Sequence, residues 1–251
     1  MMDLPELIIL DVGHGGCSVL RDTDQTVIID CAPGSTLIDL LEKLNIHEIA
    51  TILISHADSD HIAGMPAILR NFRPREMWIG VAPVNEDFRN LLAQAREQGI
   101  RIEPRFAGDE FDFGDAHIRI YAPVRGQHVG QARNNDSLVF SMSYRNSAVM
   151  LEGDAEKQVE RHVAEQRPVR VDLLKIAHHG GATSTIPELL SAMRPKFAVI
   201  SVGARNTFGH PRMETLERLS GANVKTYRTD LDGAVSFYLS GDGVSEATVP
   251  R

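Results

Sequence analysis

Residues 49–64 read Ile-Ala-Thr-Ile-Leu-Ile-Ser-His-Ala-Asp-Ser-Asp-His-Ile-Ala-Gly. The apolar run 49–54 has the length and β-branched content of a buried strand. It stops at Ser55, and four side chains able to bind a cation follow within six residues: His56, Asp58, Asp60 and His61. Gly64, Pro66 and a helical stretch through Ile68, Leu69 and Phe72 come next. The polar residues therefore lie on a tight turn between a core strand and a helix start, and a rigid strand end can hold a site to close tolerance. Two aspartates crowded on one turn repel each other, and divalent cations convert that repulsion into coordination. The alternative is an Asp- and His-rich surface turn with Asp60 as an ordinary helix N-cap.

The chain has 251 residues, enough for one large α/β domain or two small ones and for a substantial core. No linker rich in Pro, Gly or Ser divides it, so a single domain over 1–251 is expected. No apolar run approaches the ~20 residues that span a bilayer. The start, Met1-Met2-Asp3-Leu4-Pro5-Glu6, lacks the basic stretch and cleavage site of a signal peptide, so a cytoplasmic location is expected. Cys17 and Cys31 flank a predicted hairpin and read as small buried apolar residues rather than a disulfide. The formal charge of −8 argues against a broad electrostatic grip on nucleic acid. No aromatic stacking platform stands out either.

Residues 7–12, 17–20 and 26–30 read as three strands joined by tight turns, an antiparallel meander at one edge of a sheet. Leu37, Leu40, Leu41 and Leu44 have helical spacing. Strands follow over 77–81, 100–102 and 117–121, with an amphipathic helix over 85–98. Residues 123–135 form a loop long enough to suit a functional role, and Arg125, His128 and Arg133 give it a basic edge toward an anionic substrate. Strands over 148–151, 171–177 and 197–202 each run into polar residues: Glu152-Gly153-Asp154, His178-His179-Gly180-Gly181, and residues 203–211, Gly-Ala-Arg-Asn-Thr-Phe-Gly-His-Pro. His14, between glycines in Gly13-His14-Gly15-Gly16, is a turn residue or faces the site.

Ser55-His56-Ala57-Asp58-Ser59-Asp60-His61 resembles the His-x-His-x-Asp-His signature of the metallo-β-lactamase superfamily, with Asp58 where most members have a second His. Asp11-Val12-Gly13 and Asn134-Asn135-Asp136-Ser137-Leu138 resemble the branch containing the corresponding domain of the bacterial competence DNA-uptake channel protein. The motifs fall in family order over residues 7–239. The resemblance implies a four-layer αββα sandwich and two divalent metal ions, zinc or manganese. It implies metal ligands His56, Asp58, Asp60, His61, Asp154 and His178, with Asp154 bridging. A carboxylate suits that place because it can span two cations ~3.5–4 Å apart. His178, nearer the strand, is taken as the ligand and His179 as a residue behind it or facing substrate, a pair that can be exchanged. Asp30 is expected to orient the ligand loop by hydrogen bonding. Asn135 or Asp136 is expected to complete a first site that lacks the family's histidine. Asp60, His210 and Asn206 are placed at the reacting centre, His210 on the phosphoryl or leaving oxygen and Asn206 supporting its loop.

The reaction these residues imply is hydrolysis of a phosphodiester, with DNA as the substrate by resemblance and Arg125 and Arg133 as binding residues. Paired cations lower the pKa of a shared water toward ~7. A small phosphodiester, thioester or lactone is the alternative substrate. A degenerate metal-binding interaction module is the alternative of another class.

Overall fold

The structure, a computed structural model, describes residues 4–23, 25–33, 36–81, 85–126 and 133–247. Fifteen strands alternate with short helices among these residues. In chain order the strands are β1 Glu6–Ile9, β2 Ser18–Asp22, β3 Gln25–Ile29, β4 Thr51–Ile54, β5 Glu76–Ile79, β6 Arg101–Pro104, β7 Glu110–Phe113, β8 Ala116–Ala122, β9 Val139–Tyr144, β10 Ser147–Leu151, β11 Leu173–Lys175, β12 Phe197–Ile200, β13 Lys225–Arg228, β14 Val235–Ser240 and β15 Gly243–Ala247. The helices are α1 Leu37–Lys43, α2 Ser59–Ile62, α3 Met65–Asn71, α4 Glu86–Glu97, α5 Lys157–Glu165, α6 Pro187–Met193, α7 Met213–Gly221 and α8 Thr229–Asp232.

The strands form two sheets, β15-β14-β1-β2-β3-β4-β5-β6 and β13-β12-β11-β10-β9-β8-β7. Their central strands are apolar on both faces, which is what a sheet covered on both sides requires. In β1, Leu7 and Ile9 point into the core between the sheets, with Leu53, Trp78, Phe140, Val149, Leu173, Val199 and Phe237. Ile8 points the other way, with Ile28, Ile52 and Met77, toward Leu37 and Leu41 of α1, Ile68 of α3 and Leu92 of α4. Met150, Leu174 and Ile200 of the second sheet likewise meet Val159 and Val163 of α5, Leu189 of α6 and Leu219 of α7. Two sheets back to back, each with its outer face under helices, make the expected αββα sandwich.

The three N-terminal strands do form an antiparallel meander, but it is not at a sheet edge. β14 pairs antiparallel with β1, in register Leu7 with Phe237, and β15 lies outside it. This pairing joins the two ends of the chain, so no local pattern encodes it. The short strands β7 and β15 are also absent from the expected set, although Glu110-Phe111-Asp112-Phe113 of β7 does alternate polar and apolar residues. Cys17 and Cys31 are buried free thiols, as read. None of the described helices is long and apolar enough to cross a membrane.

Strands β3, β4 and β5 run parallel, as do β10, β11, β12 and β13. Ligands of open α/β sheets bind beyond the carboxyl ends of such strands. The segments after β1, β3, β4, β10, β11 and β12 are the ones that carry His14, Asp30, His56–His61, Asp154, His178–His179 and His210. Phe237, fully buried, packs its ring 5.6 Å from that of Phe197 and 5.7 Å from that of Tyr227. Phe237→Ala should lower stability by about 3–5 kcal/mol, measured by urea denaturation; a loss under 1 kcal/mol would contradict the placement of β14 in the shared core.

Candidate metal centre

Three imidazoles turn the same nitrogen toward one carboxylate. His61 Nε2 lies 3.1 Å from Asp154 Oδ1, His179 Nε2 lies 3.5 Å from Asp154 Oδ2, and His56 Nε2 lies 4.0 Å from Asp154 Oδ2. Asp60 Oδ2 stands 3.1 Å from His179 Nε2, and Asp58 Oδ2 stands 3.8 Å from His56 Nε2. Donor atoms of Asp60, His61, Asp154 and His179 all fall within 4.8 Å of one another.

Each imidazole is oriented from behind through Nδ1, which leaves Nε2 for the centre. His179 Nδ1 donates to the Ser201 carbonyl oxygen at 2.8 Å. His61 Nδ1 meets Asp30 Oδ2 at 2.7 Å. The Ser55 hydroxyl donates to Asp30 Oδ2 at 2.9 Å, which leaves its lone pair to accept from His56 Nδ1 at 3.0 Å. Asp30 also accepts from the Ser55 backbone N–H at 2.7 Å, so the carboxylate expected to orient the ligand loop does bind it. It adopts a left-handed backbone, φ 60°, which Asp tolerates better than most residues. Asp154 is fixed by its own N–H, which donates to Ser137 Oγ at 3.0 Å.

Glycines let these segments close on each other. A Cβ on Gly16 would stand 2.8 Å from His61 Nδ1 and 3.1 Å from Asp30 Oδ2. A Cβ on Gly15 would meet the Asp60 carbonyl oxygen at 2.5 Å. His14 is on the site: its ring centroid lies 4.5 Å from that of His179 and 4.8 Å from that of Phe208.

The electrostatics follow from burial opposed by charge. Burial alone would lower the basicity of His61, but the carboxylates of Asp154 and Asp30 outweigh it and hold the ring well above the usual imidazole range. The same opposition, with Asp154 and Asp60 as partners, raises His179 to about 9. Burial would raise Asp154, yet the charges of His61 and His179 hold it well below the usual carboxylate range. Asp60 falls to about 2, burial again being outweighed by the hydrogen bond from His179 and the charge of His61. His56 goes the other way, to about 4, because burial and the neighbouring His61 charge dominate.

These residues fit divalent cations. His56 Nε2, His61 Nε2 and Asp154 Oδ1 are buried without a hydrogen-bond partner, although His61 and Asp154 lie within 3.1 Å of each other. Ligands ~2.0–2.1 Å from one tetrahedral cation stand ~3.3–3.5 Å apart, close to the separations seen among Asp60, His61, Asp154 and His179. Nitrogen and carboxylate donors are the set that borderline and hard ions take.

Two expectations need correction. His178 does not join the cluster; His179 does. His178 and His179 both have left-handed backbones, φ 51° and 52°, so the chain reverses after the strand and the second imidazole turns inward. His178 Nε2 instead accepts from Asn134 Nδ2 at 3.4 Å, and its Nδ1 lies 3.6 Å from Glu156 Oε1. Asn135 is buried, but its amide oxygen accepts from the Glu156 N–H at 3.0 Å and so holds the start of α5. Asp136 is half-buried and outside the four-residue cluster. Asp58 occupies the N-cap position of α2 without capping it, so the surface-cap alternative, placed at Asp60, fails on geometry.

An open cleft of about 680 Å³ covers the centre, lined by His14, Asp58, Asp60, Asp154, Phe208 and His210 among others. His210 Nδ1 donates to the His178 carbonyl oxygen at 3.0 Å. Asn206 clamps the His210 backbone: Oδ1 accepts from its N–H at 2.9 Å, and Nδ2 donates to its carbonyl at 2.8 Å. Arg125 is not among the cleft residues; its guanidinium lies 4.1 Å over the Phe106 ring. His128 and the Arg133 side chain lie outside the described residues. Ser55, Ser201, Gly16 and Phe208 were not legible as site residues, although Phe208 stands inside the quoted 203–211 loop.

Asp30→Asn keeps every donor of the cluster but weakens the acceptor behind His61. It should lower divalent-metal affinity about 10–100-fold, read by calorimetric titration; unaltered affinity would show that Asp30 does not orient the ligand. Gly16→Ala should weaken the same affinity by displacing His61 with all donors still present, a change visible in the same titration.

The sequence matches the family described as the metallo-beta-lactamase superfamily over residues 10–204. It is 31% identical over 255 residues to ComE operon protein 3 of Bacillus subtilis (strain 168), covering 92% of this chain and 33% of that protein. It is 25% identical over 240 residues to Competence protein ComA of Neisseria gonorrhoeae, covering 93% and 32%. The chain thus spans about a third of the length of these curated relatives. Among solved structures, CmlA, a diiron β-hydroxylase from Streptomyces venezuelae, aligns with a TM-score of 0.65 at 14% identity, covering 95% of this chain and 55% of that chain, a likeness of fold. With its ligand loop, its Asp154 and its paired sheets in family order, the chain belongs to the metallo-β-lactamase superfamily and resembles the competence proteins within it.

Proposed function

We propose that the chain is a metal-dependent phosphodiesterase, with a nuclease as the favoured form. The observation that supports it is the convergence of His56, His61 and His179 through Nε2 on Asp154 beneath an open cleft. His56, Asp58 and Asp154 would hold one cation, and Asp60, His61, Asp154 and His179 the other. Divalent ions at such a centre supply a water ionised at neutral pH and positive charge against the phosphoryl oxygens. The protein's own contributions are orientation and proton handling. The Asp60 and Asp58 side chains are 28% and 31% exposed against 6% for Asp154, so these two carboxylates, and not Asp154, can accept a hydrogen bond from a nucleophile in the cleft. His210 donates through Nδ1 to a carbonyl, so its neutral ring carries a lone pair on Nε2. Burial and the neighbouring His178 lower its basicity. An anionic phosphoryl group beside it would favour the charged form, and with it a proton for the leaving oxygen. Asn206 keeps that ring in place.

Asp58 in place of an imidazole makes the first site rich in oxygen, which suits harder ions. A second reading is a binding module with an incomplete centre. What favours it is Asn135, whose amide oxygen is engaged by Glu156 instead of offered to the site.

Assays of bis(p-nitrophenyl) phosphate, single-stranded DNA, a phosphocholine ester and a thioester, run side by side on protein purified without a His-tag, test the reading. Phosphodiester turnover with two equivalents of transition metal per chain is expected, lost to background in Asp154→Ala. Thioester turnover alone would refute the phosphodiesterase, and no bound metal with no turnover would favour the module. Manganese should support activity at least as well as zinc; activity with zinc and none with manganese would contradict the role given to Asp58.

A further inference from the structure

Phe208 is 58% exposed, and it is the one aromatic ring besides the histidines among the described residues lining the cleft. A single exposed apolar side chain needs no explanation by itself. Phe208 differs in how it is held. One face stacks on His14, with centroids 4.8 Å apart and planes 17° apart, and the His210 ring meets it edge-on at 6.1 Å. His14 in turn lies 4.5 Å from His179, so the ring is braced one imidazole away from the proposed metal ligands. The connection carrying it, residues 201–212 between β12 and α7, contains Arg205 and Arg212, both exposed and neither among the residues lining the cleft, and no carboxylate, in a chain whose formal charge is −8.

A rigid aromatic face with cationic side chains on its own loop is the combination that binds single strands, bases stacking while the cations take phosphates. We infer that Phe208, braced by His14, is a base-stacking platform beside the centre, and that the substrate class is single-stranded nucleic acid. This inference rests on the phosphodiesterase reading and assigns Phe208 to binding, not to the reacting atoms.

The test compares a short oligothymidylate with an abasic oligomer of the same length and backbone charge, using the metal-loaded protein. In Phe208→Ala, the preference in kcat/KM for the base-bearing oligomer should fall about tenfold, through KM and not kcat. In Phe208→Trp the preference should persist, and the new indole's fluorescence should be quenched by oligothymidylate more than by the abasic oligomer, with the wild type supplying the Trp78 background. An unchanged preference in Phe208→Ala, or equal quenching by both oligomers, would overturn the platform. Wild-type protein that cleaves neither oligomer nor any small phosphodiester would overturn the phosphodiesterase reading separately, and the quenching comparison would then decide the platform alone.

Discussion

The carboxylate of Asp154, approached by three imidazoles from two sheets, is the constraint on which the arrangement depends. His56 and His61 arrive from the first sheet, while Asp154 and His179 arrive from the second. Charges this deeply buried cost several kcal/mol each unless closely matched. Here the matching is mutual, since Asp154 raises the basicity of His61 and His179 while their charge lowers that of Asp154. Cations entering such a cluster replace protons and take over the same attraction.

The surrounding chain serves this junction. The backbone N–H of Leu138 donates to the Ser55 carbonyl at 2.8 Å, and Ser201 Oγ donates to the Gly15 carbonyl at 2.8 Å, so the second half of the molecule is tied to the first at the start of the ligand loop and at the Gly13–Gly16 turn. The Gly13–Gly16 turn forms the seam. A Cβ on Gly203 would meet the His14 backbone nitrogen at 2.7 Å, so the His210 loop and the N-terminal turn close on each other without side chains between them. This packing also holds His14 against both His179 and Phe208.

The ligand loop was legible because its information is local: a strand of apolar residues, an abrupt stop, and donors at fixed spacing. Asp154, Asp30, Asn206 and His210 were legible through motif order, and the structure places them at the same end of the sheets. Three things were not. The choice between His178 and His179 turned on two successive left-handed residues, which neither histidine's identity announces. The pairing of β14 with β1 joins residues separated by almost the whole chain. Phe208 looked like loop sequence, because its significance lies in the ring behind it and the cleft in front, both created by tertiary contacts.

Anomalous diffraction from crystals grown with manganese or zinc tests the central claim most directly. Two peaks about 3.5–4 Å apart are predicted, both in contact with Asp154, one of them with His61 and His179 and neither with His178. Anomalous density absent from this cluster, or centred on His178, would contradict the account.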